Sequence, residues 1–375
     1  MNGIASPSDV GTLRREVMLR SPFRVESLPL LARLHRVAFL PDRRASKLFI
    51  GKPAKLLFRL LLALGFRGVG RFSLDRPEGR RQVAFNARNT QFGALYQDHF
   101  QPVYEPETSA LLDILLDDNG CFVDVGANWG WYSLLLASRP GFNGTIHAFE
   151  PFPTTFADLT NVVRDAGLDS CITCHEVALS DHNGSGTMAI PKGVLSGLAR
   201  LGQSGGTTIR LSTMDSLDLP PPDVIKIDVE DHEIAVLRGA TATIERARPF
   251  IVFENWLNRD NPATTLDPFH WFTQRGYRFF HAGWVAGAPD FIVADLPRAS
   301  GNQATLALLP LLPEQRFYLP PQLNVLAVPD DRLDDLRCRI EGRPAGDERP
   351  GIPPKRHERV FRPIDSAAAR GPVSA

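Results

Sequence analysis

The chain reads as an α/β protein: a mostly parallel sheet with helices on both faces. Three observations predict this. Short β-branched runs alternate with helical periods over about residues 101–296. One run turns through Gly126 and Gly130 into a helix. The strand–helix–strand spacing calls for parallel pairing through right-handed crossovers. In chain order, Leu111, Leu112, Leu115 and Leu116 lie on a helical period within residues 107–118, and CFVDVG at 121–126 follows as a buried strand ending in glycine. A helix over residues 131–139 is stopped by Pro140, and TIHAFE at 145–150 is the second strand. The next helix, from Thr154, closes on Gly167 as a left-handed cap. CITCHEV, DVIKIDV and PFIVFEN are further strands, the last two flanking a helix over roughly residues 233–246. LNVLAVP at 323–329 reads as one more buried strand. In such a sheet ligands bind outside the carboxyl ends of the strands.

Composition sets the rest of the frame. With 43% hydrophobic and 22% charged residues among 375, the chain can bury a full core. Equal numbers of basic and acidic residues give no global charge that argues for nucleic acid. The distribution is uneven, because residues 1–100 hold 18 Lys or Arg against 7 Asp or Glu. We therefore divide the chain into a basic N-terminal extension (1–100, short helices and a hairpin at FSLDR and QVAFNAR), an α/β domain (101–338) and a tail from 339 whose Pro, Gly, Arg and Ala predict disorder. Arg14 and Arg15 interrupt any secretory apolar core, so a cytoplasmic location is expected. The apolar stretch 56–66 contains Arg59 and is too short to span a bilayer. With Lys55 and Arg67 beside it, it could lie on a membrane surface, although a core or capping helix is the plainer reading. Cys171 and Cys174 form a CxxC without a second Cys/His pair at zinc spacing, and read as buried small hydrophobes.

The sharpest motif is DVGANWGW at 124–131. Gly126 and Gly130 let backbone approach a ligand closely, and Glu150 stands twenty residues beyond at the end of the second strand. A carboxylate there can accept both ribose hydroxyls of an adenosine-type ligand. The dinucleotide fingerprint GxGxxG is not met, since Ala127 and Asn128 fill the close-approach position and Asp124 would repel a diphosphate. Asp124 can instead accept from a ligand ammonium, which favours S-adenosylmethionine over NAD.

FVDVGANWGWYS, FEPFPTTFADLTNV, VALSD, TMD and IKIDVEDHE, in this order and spacing, resemble the FkbM family of methyltransferases. The resemblance runs from about Tyr104 to Asn255, with a weaker echo in LNVLAVP. It implies a Rossmann-like class I methyltransferase fold, S-adenosylmethionine as donor, and O-methylation of a sugar or related small-molecule hydroxyl. Carried over by position, Asp124, Gly126, Asn128 and Gly130 would line the methionine end of the donor, Glu150 the ribose, and Ala178, Ser180 and Asp181 the adenine. Asp231 departs from the family pattern, which usually has glycine there.

Methyl transfer to oxygen needs a positioned hydroxyl and a proton acceptor. Asp228, Glu230 and His232 stand at or just past a strand end, and His232 is the candidate base because its ordinary pKa is near neutrality. A second arrangement would bring Asp228, Glu254 and Asn255 together as hard oxygen ligands for Mg²⁺. Lys226 sits in an apolar run and needs a buried partner, for which Asp124 and Glu254 are the candidates. Trp129 and Trp256 fall beside the site, where they could stack on a ligand or simply pack. The acceptor is expected to be a small molecule or glycan. Nucleic acid is not expected, because the basic N-terminus lacks interleaved stacking aromatics and no amino- or cytosine-methylation motif is present. The alternative is a turnover-deficient protein of the same fold, working as a membrane or partner adaptor through residues 1–100.

Overall fold

In the computed structural model the described residues are 11–39, 50–189, 200–201, 206–286, 292–293, 296 and 303–342. The tail expected from 339 lies outside them beyond residue 342. The strands are β1 (Leu13–Met18), β2 (Phe23–Ser27), β3 (Val69–Leu74), β4 (Arg81–Asn86), β5 (Cys121–Val125), β6 (Thr145–Phe149), β7 (Ile172–His175), β8 (Ala178–Leu179), β9 (Gly184–Ala189), β10 (Arg200–Leu201), β11 (Thr207–Ser212), β12 (Val224–Ile227), β13 (Phe250–Trp256), β14 (Tyr277–Val285), β15 (Ile292–Val293), β16 (Gln303–Leu311) and β17 (Gln322–Pro329). The α-helices are α1 (Leu30–Ala38), α2 (Lys52–Ala63), α3 (Gly93–Tyr96), α4 (Pro106–Leu115), α5 (Trp131–Ala137), α6 (Pro153–Ala166), α7 (Glu233–Gly239), α8 (Thr241–Ala247), α9 (Pro262–Thr273) and α10 (Leu333–Glu341).

The main sheet runs β1-β16-β14-β17-β13-β12-β5-β6-β7, with β15 on β14. From β7 to β13 every pair is parallel, in the order third-second-first-fourth-fifth of the parallel strands. That is the doubly wound, Rossmann-like arrangement, and its switch point lies between β5 and β12. The remaining strands join antiparallel, ending with β1, which pairs Leu13 with Leu308.

Strand parity splits the core in two. Phe122, Ile146, Val224, Phe250 and Val252 face α4, α5, α6 and α10. Val123, Val125, Ile225, Ile227, Ile251 and Phe253 face α7, α8 and α9. Both faces are covered, so the strands carry continuous apolar runs rather than an alternation. A charged residue within such a run needs a specific partner.

Several expectations are refined. Gly167 is in the left-handed region at φ 66°, capping α6. The helix expected over 233–246 breaks at Ala240 into α7 and α8. Asp215, from the TMD motif, accepts from the backbone N–H groups of Ala242 (2.9 Å) and Thr243 (2.8 Å), satisfying the new start. FSLDR and QVAFNAR contribute the antiparallel pair β3–β4. That pair docks on α6, where Arg76 Nη1 donates to the Ala166 and Gly167 carbonyls and the Ala84 N–H donates to Asp165. Helix α2, within the apolar stretch, buries Ala54 and Phe58 while leaving a row of leucines in solvent.

Candidate active site

A cavity of about 300 Å³ opens at the carboxyl ends of β5, β6, β12 and β13. Its floor is set by the turn after β5. The Gly126 and Ala127 N–H groups both donate to the Phe149 carbonyl, and the Asp228 N–H donates to Val125, so three strand ends are tied together. Gly126 has φ 84°, and a Cβ there would lie 1.8 Å from the Asp228 carbonyl oxygen. The glycine is therefore required by protein backbone, a constraint additional to the ligand approach inferred from sequence.

Two carboxyl groups expected to serve the donor line this cavity. Asp124 is buried and accepts from Ser133 Oγ at 2.6 Å, and burial lifts its pKa to about 6. Glu150 accepts from the N–H groups of Asn128 (3.1 Å) and Phe152 (2.9 Å). Burial raises it to about 7 against the pull of those two bonds. Asn128, at φ 52°, turns its own side chain to the Trp129 N–H. Ala178 lines the cavity with Val177 and Leu179. Ser180 is buried but binds His232 Nε2 at 3.0 Å, and Asp181 turns outward to His182. Ser180 and Asp181 are not among the lining residues.

A second group of charges occupies the adjoining wall. Asp124, Lys226, Asp228 and Glu254 share the strand parity that faces α4 and α5. The partner of Lys226 is Asp228 at 2.9 Å, two residues along on the same face, where the sequence reading had Asp124 or Glu254. Its ammonium also lies 5.1 Å above the Tyr132 ring. Burial pulls Lys226 toward neutrality, but Asp228, Glu105 and Glu254 together outweigh it and hold its pKa above the ordinary value. Glu254 accepts from Trp256 Nε1 and from Gln322 Nε2, and burial pushes its carboxyl well above the usual range, with Asp228 adding to the rise.

The proposed metal set does not converge. Asn255 has the opposite parity to Glu254: its amide donates to the Thr265 carbonyl, and its oxygen accepts from the buried Arg316 Nε at 2.7 Å. Adjacent strand residues point to opposite faces, so Glu254 and Asn255 cannot bind one ion from this strand. Among the described residues no group of three His, Cys, Asp or Glu is set to hold a metal.

Glu230 and His232 reach the cavity from the loop after β12, in which Glu230 (φ 51°) and Asp231 (φ 72°) are both left-handed. Asp231 thus adopts a conformation that glycine takes without strain. Asp231→Gly is expected to leave the loop in place and change stability by no more than about 1 kcal/mol in either direction, relief of a left-handed side chain offsetting the added unfolded-state freedom. A urea titration showing a larger loss would mean that the Asp231 side chain, and not its backbone, holds the turn.

Sequence reasoning missed four wall residues. Glu105 accepts from Tyr132 Oη and from Asn324 Nδ2 (2.9 Å), while Gln322 reaches Glu254. Gln322 and Asn324 share the parity of Glu254, with Asn324 directly opposite it in the β13–β17 register, so alternation along LNVLAVP was the available signal. Glu105 and Tyr132 come from a loop and a helix and left none. Trp129 lines the cavity while stacked on Phe92 at 4.7 Å, its indole N–H bound to the Gln91 carbonyl, and Trp256 lines it beside Glu254. Cys171 and Cys174 are free thiols whose pKa values burial raises.

The profile of the methyltransferase FkbM domain matches residues 124–279. A hexuronic acid methyltransferase, AglP, from Haloferax volcanii is 30% identical over 136 residues, which are 35% of this chain and 54% of that protein. The chain thus matches about half the length of this curated relative. A methyltransferase FkbM structure from Methylobacillus flagellatus is 20% identical with a TM-score of 0.33, covering 51% of this chain and 44% of that one. An O-methyltransferase from Bacillus cereus in complex with SAH is 13% identical with a TM-score of 0.32, over 54% and 81%. The motif order and the strand order are in keeping with that profile, and the similarity to the methyltransferase FkbM domain extends over residues 124–279 of this chain.

Proposed function

We propose that the chain transfers a methyl group from S-adenosylmethionine to a hydroxyl of a sugar, glycan or related small molecule. The observation that carries this reading is the pair of buried carboxyls, Asp124 and Glu150, in one cavity at the switch point of a doubly wound sheet. Carboxylates suit a ligand that brings an ammonium and vicinal hydroxyls, and they oppose a diphosphate. Asp124, Gly126, Asn128 and Gly130 would hold the methionine end, Glu150 the ribose, and Ala178 with Leu179 the adenine, with the buried Ser180 supporting that wall from behind while Asp181 faces away from it. When bound, S-adenosylmethionine supplies an electrophilic methyl group. The relative that methylates hexuronic acid supports a carbohydrate acceptor.

The chain's own residues would do the rest. Asp228, fixed by the Lys226 ammonium, accepts from a neighbouring hydroxyl of the acceptor and so orients the reacting one, with Glu230 beside it. His232 takes the proton: burial lowers its pKa, so the ring is neutral at pH 7, and Ser180 Oγ fixes Nε2. Trp129 and Trp256 close the apolar walls and exclude water.

Glu150 gives the test. Burial keeps it largely protonated below about pH 7, whereas ribose hydroxyls donate to the ionised form. Donor binding is therefore expected to release a proton at pH 6 and to tighten as pH rises through 7. Calorimetry in two buffers of different ionisation enthalpy reads the proton directly. Glu150→Ala should reduce that release to the part that Asp124 contributes and weaken binding about 10- to 100-fold. Equal affinity for wild type and variant would remove Glu150 from the donor site.

A further inference from the structure

The row of exposed leucines on α2 stands apart from the catalytic reading. This helix buries Ala54 and Phe58, four residues apart, against the protein. Its opposite side carries Leu56, Leu60 and Leu64, also at intervals of four, at 72%, 52% and 72% exposure, with Leu57 and Phe66 alongside at 43% and 42%. Five large apolar side chains in one stretch of helix and cap form a continuous patch, whereas scattered exposed leucines would need no account. The helix and the chain that follows it are cationic. Residues 50–74 contain five Lys or Arg and no Asp or Glu. On the helix, Lys52 and Arg59 are exposed at the border between the buried side and the leucine row. Lys55 lies over the exposed ring of Phe39, 5.1 Å from its centroid, with its aliphatic stem along the same border.

We propose that α2 lies flat on an anionic phospholipid surface, its Leu56–Leu60–Leu64 row in the acyl boundary and Lys52, Lys55 and Arg59 at the headgroups. Twelve residues are too few to cross a bilayer, and an apolar row bordered by basic side chains is the pattern of an interfacial helix. The charge selects this occupant over a second copy of the chain: stacking two such faces would set Lys52, Lys55 and Arg59 against the same three cations, whereas an acidic leaflet supplies the missing sign.

The test is co-sedimentation of the full chain with vesicles of equal parts phosphatidylglycerol and phosphatidylcholine, beside vesicles of phosphatidylcholine alone. The chain is expected to partition onto the acidic vesicles, weakly or not at all onto the neutral ones, and to be released by high salt. The triple variant Leu56→Ser, Leu60→Ser, Leu64→Ser should lose partitioning about tenfold or more while its circular dichroism is unchanged. A second variant, Lys52→Glu with Arg59→Glu, should lose the preference for acidic lipid. Failure of the wild type to bind acidic vesicles overturns the proposal. So does binding that the leucine variant retains, or a dimer by sedimentation velocity that the leucine variant dissociates, which would assign the face to a second copy.

Discussion

Replacing Lys226 by methionine is expected to cost about 3–5 kcal/mol of folding stability, and more of it at pH 8 than at pH 5. Methionine fills nearly the same volume, so packing changes little. The loss is electrostatic: Lys226 is buried, its Nζ is 2.9 Å from Asp228, and it is the cation that Asp228, Glu105 and Glu254 share. Asp124, raised by burial to about 6, then loses the ammonium that opposes the rise and climbs further. A folded-state carboxyl raised above its unfolded value binds a proton that the unfolded chain has released. Stability therefore falls with increasing pH through that window. Urea denaturation at the two pH values measures both effects. A loss below about 1 kcal/mol, equal at both, would show that the wall does not depend on the lysine.

Gly126→Ala is expected to cost about 2–5 kcal/mol and to abolish donor binding even in protein that remains folded. The added Cβ would meet the Asp228 carbonyl at 1.8 Å, and that atom is backbone at the end of a central strand. Either β5 or β12 must retreat at its carboxyl end. The retreat separates Asp124 from Lys226, residues directly paired across the two strands. A thermal melt and a donor titration on the same preparation separate the two losses. Native affinity in the variant would mean that the turn can yield without disturbing the cavity.

The parallel half of the fold was legible because buried strands write themselves as unbroken apolar runs. FVDV, TIHAF, VIKI and FIVF each became a strand, and Gly167 was readable as a cap because a helix end favours glycine at that position. The break at Ala240 was not readable, since Thr241, Ala242 and Thr243 continue a helical composition and only Asp215, a neighbour in space, explains the new start. In the site, motif spacing located Asp124, Gly126 and Glu150, because one local turn and one strand end suffice to place them. It misjudged groups whose partners depend on sheet parity: Asn255 points away from Glu254 toward Arg316, and Lys226 is satisfied by Asp228. It could not anticipate Glu105, which reaches the wall from a loop and is bound there by a residue of a strand some two hundred residues further on.

The pairing of Leu13 with Leu308 also bears on the order in which the chain can be completed. A ribosome adding roughly 5–20 residues each second delivers the partner of the first strand about 15–60 s after that strand has been made. Over that interval β1 presents unsatisfied N–H and C=O groups, and the last gap in the sheet closes only when β16 and β17 arrive. The consecutive Arg14, Arg15 and Glu16 of LRREVM serve a nascent chain in this position, because charge on a waiting strand discourages pairing with a neighbouring copy.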